Sequence, residues 1–234
     1  MEIELYYEEK GAGFPFIFLH GNGENSSYFK AQTDYFQSRY HVIALDTRGH
    51  GKSPRGTAPF TIEQFSYDLF DFMKSHGIFR AVILGFSDGA NVAMKFAIKH
   101  SDMIEALILN GGNLNAEGIK RTTQIPIEIG YKIAKRFAAK SFVARKNTEM
   151  LGLMVNEPDI STQDLSNITA ATLVICGTRD MVKESHTKII AENIPNAELK
   201  VIKGDHFIAN KRPLDFNRAV DDFLEKNTVT IANG

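Results

Sequence analysis

Short apolar, β-branched runs alternate with longer amphipathic stretches along this chain, and that alternation restricts its fold more than any other feature. The short runs are Phe16 to Leu19, His41 to Leu45, Ala81 to Phe86, Ile104 to Leu109, Thr172 to Cys176 and Leu199 to Ile202. Strands buried on both faces read as near-continuous apolar runs, and parallel neighbours need a crossover long enough to hold a helix. The pattern therefore predicts an α/β fold, a mostly parallel sheet flanked on both faces by helices. A further strand around Ile3 to Tyr7 is expected to run antiparallel at an edge, since only Lys10 to Gly13 separates it from the next run. The total comes to about seven strands.

The clearest helix runs from Ile62 to about His76. Thr61 and Gln64 form a capping-box pattern, Ile62, Phe65, Leu69, Phe70 and Met73 recur on one face, and Gly77 supplies the stop. Further helices are expected at Tyr28 to Ser38, Gly89 to His100, Glu184 to Asn193 and Leu214 to Glu225. Gly112 to about Ser166 interrupts the alternation, with no convincing strand and room for one or two helices. The chain thus divides into a first core segment (1–111), an inserted helical cap (112–166) and a second core segment (167–234).

Composition removes several classes. The 234 residues carry 27 Lys plus Arg against 28 Asp plus Glu, a net charge of -1, which excludes a general nucleic-acid binder and an acidic tail protein. A chain this long buries a sizeable core by itself, and the single Cys176 has no partner for a disulfide within the chain. Cys176 reads as a small core residue on its strand. No apolar run approaches the roughly 20 residues of a spanning helix. The acidic start lacks the apolar core of a signal peptide, so a cytoplasmic protein is expected, as a monomer or homodimer. Neutrality is only an average, because residues 116–148 hold eight Lys and Arg against two Glu. That local charge suggests an anionic substrate or an acidic surface, against the plainer reading of a solvated helix face.

Gly85-Phe86-Ser87-Asp88-Gly89 lies between a predicted strand and a predicted helix, the pattern of a nucleophile elbow. A sharp strand-to-helix turn strains its tip residue, and glycines two positions either side relieve the crowding. Ser87 would project above the sheet at a helix N-terminus, where N–H groups favour developing negative charge. A serine hydroxyl needs a histidine base, and the histidine needs a carboxylate to fix its tautomer. Asp180 follows the strand Thr172 to Cys176, and His206 follows Leu199 to Ile202, so both belong at the same sheet edge as Ser87. Asp205 is the rival acid, but adjacent side chains rarely reach the Nδ1 of a histidine. His20-Gly21-Asn22-Gly23, after the strand Phe16 to Leu19, fits an oxyanion loop in which the backbone N–H groups of Asn22 and Asp88 are the two donors. His20 reads as a structural residue of that loop.

Two other motifs fail on their own terms. Asp46 to Ser53 ends like a phosphate-binding loop, yet Asp46 stands where glycine is required and Pro54 follows in place of a helix. Gly21 to Ser26 begins like a dinucleotide fingerprint but has Ser26 at its third glycine position. No metal-ligand spacing occurs among the histidines and Cys176, so neither metal nor cofactor is expected.

Taken together, His20 to Gly23, Asp46 to Ser53, Gly85 to Gly89, Gly177 to Asp180 and Gly204 to Phe207 resemble the motifs of the α/β-hydrolase superfamily, in its order and over nearly the whole chain. The nearest likeness is to its small bacterial serine hydrolases of the esterase, lactonase and haloperoxidase-like branch. The resemblance implies that Asp46 to Ser53 is a structural loop beside the site. It also implies a short chain, lacking the first antiparallel strand and carrying a small cap. Ser87 in place of an aspartate points to acyl chemistry and away from dehalogenases and epoxide hydrolases. The expected activity is hydrolysis of a small carboxylic ester or related acyl compound through Ser87, His206 and Asp180. A ligand-binding member, or a lyase or acyltransferase on the same residues, is the alternative. Pocket walls are expected from Phe86, Asn110, Asn113, Leu114, Met181, Val182 and Phe207.

Overall fold

The computed structural model describes residues 2–227, so the last seven residues of the second core segment expected above lie outside it. Its strands are β1 (Tyr7–Lys10), β2 (Phe14–Leu19), β3 (Tyr40–Leu45), β4 (Ala81–Phe86), β5 (Ile104–Asn110), β6 (Ala171–Gly177) and β7 (Ala197–Ile202). The helices are α1 (Lys30–Phe36), α2 (Ile62–Ser75), α3 (Asp88–Lys99), α4 (Arg121–Phe137), α5 (Phe142–Asn156), α6 (Thr162–Leu165), α7 (Glu184–Asn193), α8 (Ile208–Lys211) and α9 (Pro213–Asn227). The strands form one sheet in the order β1-β3-β2-β4-β5-β6-β7, parallel except for β1.

Period-two alternation divides the core. Ile17, Leu19, Ile43, Leu45, Ile83 and Leu107 face one side, where Leu69 and Phe72 of α2, Val92 and Phe96 of α3 and Ile190 of α7 pack. Phe16, Phe18, Val42, Val82, Leu84 and Ile108 face the other, against Phe36 of α1 and Phe216, Val220 and Phe223 of α9. Each large side chain taken fully out of water contributes about 1.5–3 kcal/mol, so the double-faced sheet is the rigid part from which the loops project. Thr61 caps α2 by accepting the Gln64 N–H at 3.1 Å, as its sequence pattern predicts.

The edge strand departs from expectation in start and neighbour. It begins at Tyr7, while Ile3 and Leu5 are buried against the core outside the sheet. Its partner is β3, with Tyr7 opposite Leu45 and Lys10 opposite Val42, because β3 and β4 already occupy both edges of β2. Gly11, at φ +81, carries the chain across the loop before β3. A side chain there would strike the carbonyl oxygens of Gln37 and Tyr40.

Between β5 and β6 the chain leaves the sheet for α4, α5 and α6. The first two form a helical hairpin whose glycines allow close approach: Gly130 faces Leu151, and Gly152 faces Tyr131. Among the described residues no helix is long and apolar enough to cross a membrane.

Candidate active site

β4 turns into α3 at Ser87, whose φ of 54° and ψ of -119° make it the one non-glycine residue at positive φ among those described. The turn forbids side chains on either flank. A Cβ on Gly85 would collide with the Gly89 carbonyl, and one on Gly89 with the carbonyls of Leu19 and His20. Strain of this kind persists only where surroundings over-determine it. Here the Ser87 N–H donates to the Asn110 carbonyl of β5 at 2.8 Å, and the Ser87 carbonyl accepts the N–H groups of Ala90 and Asn91.

Loops after β4, β6 and β7 bring three side chains into one hydrogen-bonded line. Ser87 Oγ lies 3.0 Å from His206 Nε2, and His206 Nδ1 lies 2.6 Å from Asp180 Oδ1. His206 and Asp180 are each only 4% exposed. Burial pushes the Asp180 carboxyl up, but the hydrogen bond and charge of His206, with the N–H groups of Val182 and Gly177, outweigh it and hold the group below the usual carboxylate range. An ionised Asp180 fixes the proton on Nδ1 and leaves Nε2 free to accept from the serine hydroxyl. Asp205 points elsewhere, its carboxylate pairing with Lys211 at 2.5 Å and accepting the Phe207 N–H.

The loop after β2 packs against the start of α3, and Asn22 with Asp88 lines the same small cavity beside His20 and Gly89. The Asn22 side chain donates to the Met150 carbonyl of α5 at 2.7 Å, tying this loop to the helical hairpin. His20 is neutral in its role: Nδ1 donates to the Gly21 carbonyl at 2.7 Å and Nε2 accepts the Thr47 N–H at 3.0 Å. Burial, then the neighbouring His50, lowers its pKa to about 4. Asp46 accepts the N–H groups of Ser26 and Lys52, which fastens the following loop to the same edge. Asp88 is pushed up to about 6 by burial, with the Asn22 and Asn91 amides opposing.

The residues expected as pocket walls are distributed unequally. Phe86 is buried beneath the site, stacked on Tyr28 at 4.5 Å with its ring 4.8 Å from that of His206. Asn110 is fully buried and donates to the Ile175 carbonyl, so it supports the elbow from below. Asn113 exchanges hydrogen bonds with Asn91, Leu114 packs in the core with its N–H on His186, and the Val182 N–H serves Asp180. Met181 and Phe207 keep solvent-facing surface. Cys176 is buried on β6, and burial followed by Asp180 and Glu184 pushes its thiol up to about 11, which disqualifies it as a nucleophile.

Three neighbours of the site carried no signal in the sequence. Glu24 Oε2 accepts the Gly21 N–H at 3.2 Å, and burial raises this carboxyl to about 7 against the pull of Gly21 and His206. Gly111, at φ +66, sits against the His206 ring, where a Cβ would stand 2.7 Å from Cε1. Lys120 reaches from the start of α4 to the Asp180 carbonyl at 2.5 Å.

Residues 15–151 match the family model described as alpha/beta hydrolase fold. The chain belongs to that family. Among curated relatives of this α/β-hydrolase-fold protein, 3-oxoadipate enol-lactonase 2 of Acinetobacter baylyi is 26% identical over 236 residues, covering 90% of this chain and 88% of the relative. A solved structure of Est816, described as an N-acyl homoserine lactone degrading enzyme, is 25% identical with a TM-score of 0.76 and covers 94% of this chain and 97% of its own. A thermophilic esterase from Thermogutta terrifontis superposes with a TM-score of 0.80 at 24% identity, over 97% of this chain and 95% of its own, a likeness of fold alone.

Proposed function

We propose that the protein is a serine hydrolase of carboxylesterase type, cleaving a small carboxylic ester or lactone through an acyl-enzyme on Ser87. The observation that carries this reading is the unbroken line Asp180–His206–Ser87 with the serine held at positive φ. Membership of a hydrolase family, and likeness to proteins described as an enol-lactonase and an N-acyl homoserine lactone degrading enzyme, support the reaction class.

In this reading His206 Nε2 takes the hydroxyl proton as Ser87 Oγ bonds to the substrate carbonyl carbon, and the Asn22 and Asp88 backbone N–H groups hold the resulting oxyanion. The tetrahedral adduct collapses when the carbon–oxygen bond to the leaving alcohol breaks and His206 gives that alcohol its proton. Water then repeats the sequence: His206 removes a proton, the hydroxide oxygen bonds to the acyl carbon, and Ser87 departs as a hydroxyl. Asp180 stays ionised and stabilises the imidazolium at both stages.

Ser87→Ala tests the assignment. Hydrolysis of p-nitrophenyl esters is expected to fall by a factor on the order of 10⁴–10⁶, with the circular dichroism spectrum unchanged and fluorophosphonate labelling lost. Retention of most activity would refute the nucleophile. A panel of rising acyl length, run beside a lactone and an amide, assigns the substrate class. A faster rate on adding an alcohol acceptor, with weak hydrolysis of every ester, would replace the hydrolase reading with an acyltransferase.

A further inference from the structure

The acyl chemistry leaves one large surface unused. Ile125, Ile129, Ile133 and Phe137 recur every fourth residue along α4 and all stand exposed, Ile129 by 53% and Ile133 by 57%. Phe142 and Val143 open α5 at the same tip of the hairpin and are exposed as well. Six of the fourteen large apolar side chains exposed among the described residues therefore fall within residues 125–143, a patch and not scatter. The opposite side of α4 is the one that packs: Ala134 is buried, and Gly130 and Tyr131 meet Leu151 and Gly152 of α5. An amphipathic helix normally turns its apolar row inward, and here a second row turns out.

Charge indicates what covers it. Lys132 and Arg136 lie within about 20° of Ile125 around the helix axis, on the outward side, and Lys140 follows at its end. All three are exposed, and none forms an ion pair among the described residues. A lysine or arginine beside apolar surface covers it with its stem while the charged end reaches past it. A second copy of the chain is a poor cover, since two-fold pairing of this face sets Lys132 and Arg136 against their own images. A partner helix needs a groove, and although Phe142 lines the cavity of about 440 Å³, neither it nor those of about 500 and 420 Å³ take a residue from α4, which offers a ridge about 25 Å long. A bilayer accepts a ridge: apolar side chains enter the boundary between headgroups and acyl chains, and cations meet lipid phosphates.

We propose that the outer face of α4, continued by Phe142 and Val143, is a docking surface for an anionic lipid bilayer. The contact is peripheral and needs no spanning segment. It adjoins the site, because Lys120, the residue before α4, donates its N–H to the Met181 carbonyl and its Nζ to the Asp180 carbonyl.

Cosedimentation of the full chain with sucrose-loaded vesicles tests this. The protein is expected to pellet with phosphatidylcholine mixed with phosphatidylglycerol, to stay in solution with phosphatidylcholine alone, and to be released as salt rises. Ile129→Asp with Ile133→Asp is expected to weaken partitioning at least tenfold at unchanged melting temperature, as both positions are exposed. Lys132→Glu with Arg136→Glu provides an independent variant, expected to weaken it about fivefold or more for each charge reversed. No pelleting with the mixed vesicles would overturn the proposal, as would equal pelleting of wild type and both variants. So would reversible dimerisation in equilibrium sedimentation that Ile129→Asp abolishes, which would give the face to a second copy.

Discussion

Two carboxyls beside His206, Asp180 buried and Glu24 half-buried, are both pushed up by burial yet end on opposite sides of the usual carboxylate range. Asp180 meets donors on both oxygens and stays below the usual carboxylate range, while Glu24 has one N–H partner and rises to about 7. Asp180 therefore contributes stability that is present above the unfolded carboxylate pKa and lost as pH falls through its folded value. Glu24 acts with the other sign. Its unfolded form ionises near pH 4.3 and its folded form near 7, so stability declines across that window and stays lower above it. Glu24→Gln keeps an acceptor for the Gly21 N–H and removes the ionisation. After allowance for partial solvent screening, the variant should gain on the order of 1 kcal/mol over wild type at pH 8, about 2–4 °C in melting temperature, and almost nothing at pH 4. Equal shifts at both pH values in calorimetry would show that the Glu24 carboxyl ionises alike in the folded and unfolded chain. Nothing in the sequence marked this residue, because its environment is made by Gly21, Phe86 and His206, whose approach depends on the assembled sheet.

At the level of elements, what could be read beforehand was what a single strand or helix encodes locally. The α2 cap at Thr61, the glycines flanking Ser87 and the positions of Asp180 and His206 after β6 and β7 are all short-range patterns, and each stands where its pattern put it. The neighbour of β1 was not readable, since it depends on which edges of β2 and β3 are already taken. Tyr28 to Ser38 likewise resolves into a 3-10 turn, Ser26–Phe29, followed by the shorter α1. Gly111 is the functional counterpart of that limit, because it follows β5 and presses on a histidine 95 positions away. Gly111→Ala adds a Cβ 2.7 Å from His206 Cε1 at a φ of +66°, and the ring is the part that can yield. Turnover is expected to fall on the order of 100-fold with KM little changed, since displacing a catalytic group by about 1 Å has effects of that size. Unchanged kcat in steady-state assays would mean that the ring accommodates the methyl without leaving Ser87.

For the whole molecule, the near-neutral total conceals a division: residues 116–148 carry a net +6, leaving the remainder at -7 against the overall -1. The positive part is the helical hairpin, and its attachments to the sheet-bearing part are few and polar. Asn22 holds the Met150 carbonyl, Arg55 pairs with Glu149 at 2.7 Å, and the Glu157 carboxylate accepts the Ile62 N–H at 2.6 Å. Leu153 is the one fully packed apolar anchor from α5, whereas the sheet is apolar on both faces. Opening of α4 and α5 away from the sheet is thus a smaller event than unfolding, and the Asn22 tether makes the loop after β2 feel it. Arg55→Ala tests this division. The Arg55–Glu149 pair is half-exposed and worth about 0.2–1 kcal/mol, so amide protection in α5 should drop about 1.5- to 5-fold by hydrogen exchange while β4 and β5 keep theirs. Protection lost equally from β4 would mean that the hairpin and the sheet open as one unit. Loss confined to α5, accompanied by slower ester turnover, would mean that the attachment of the helices also sets the geometry of the Asn22 loop.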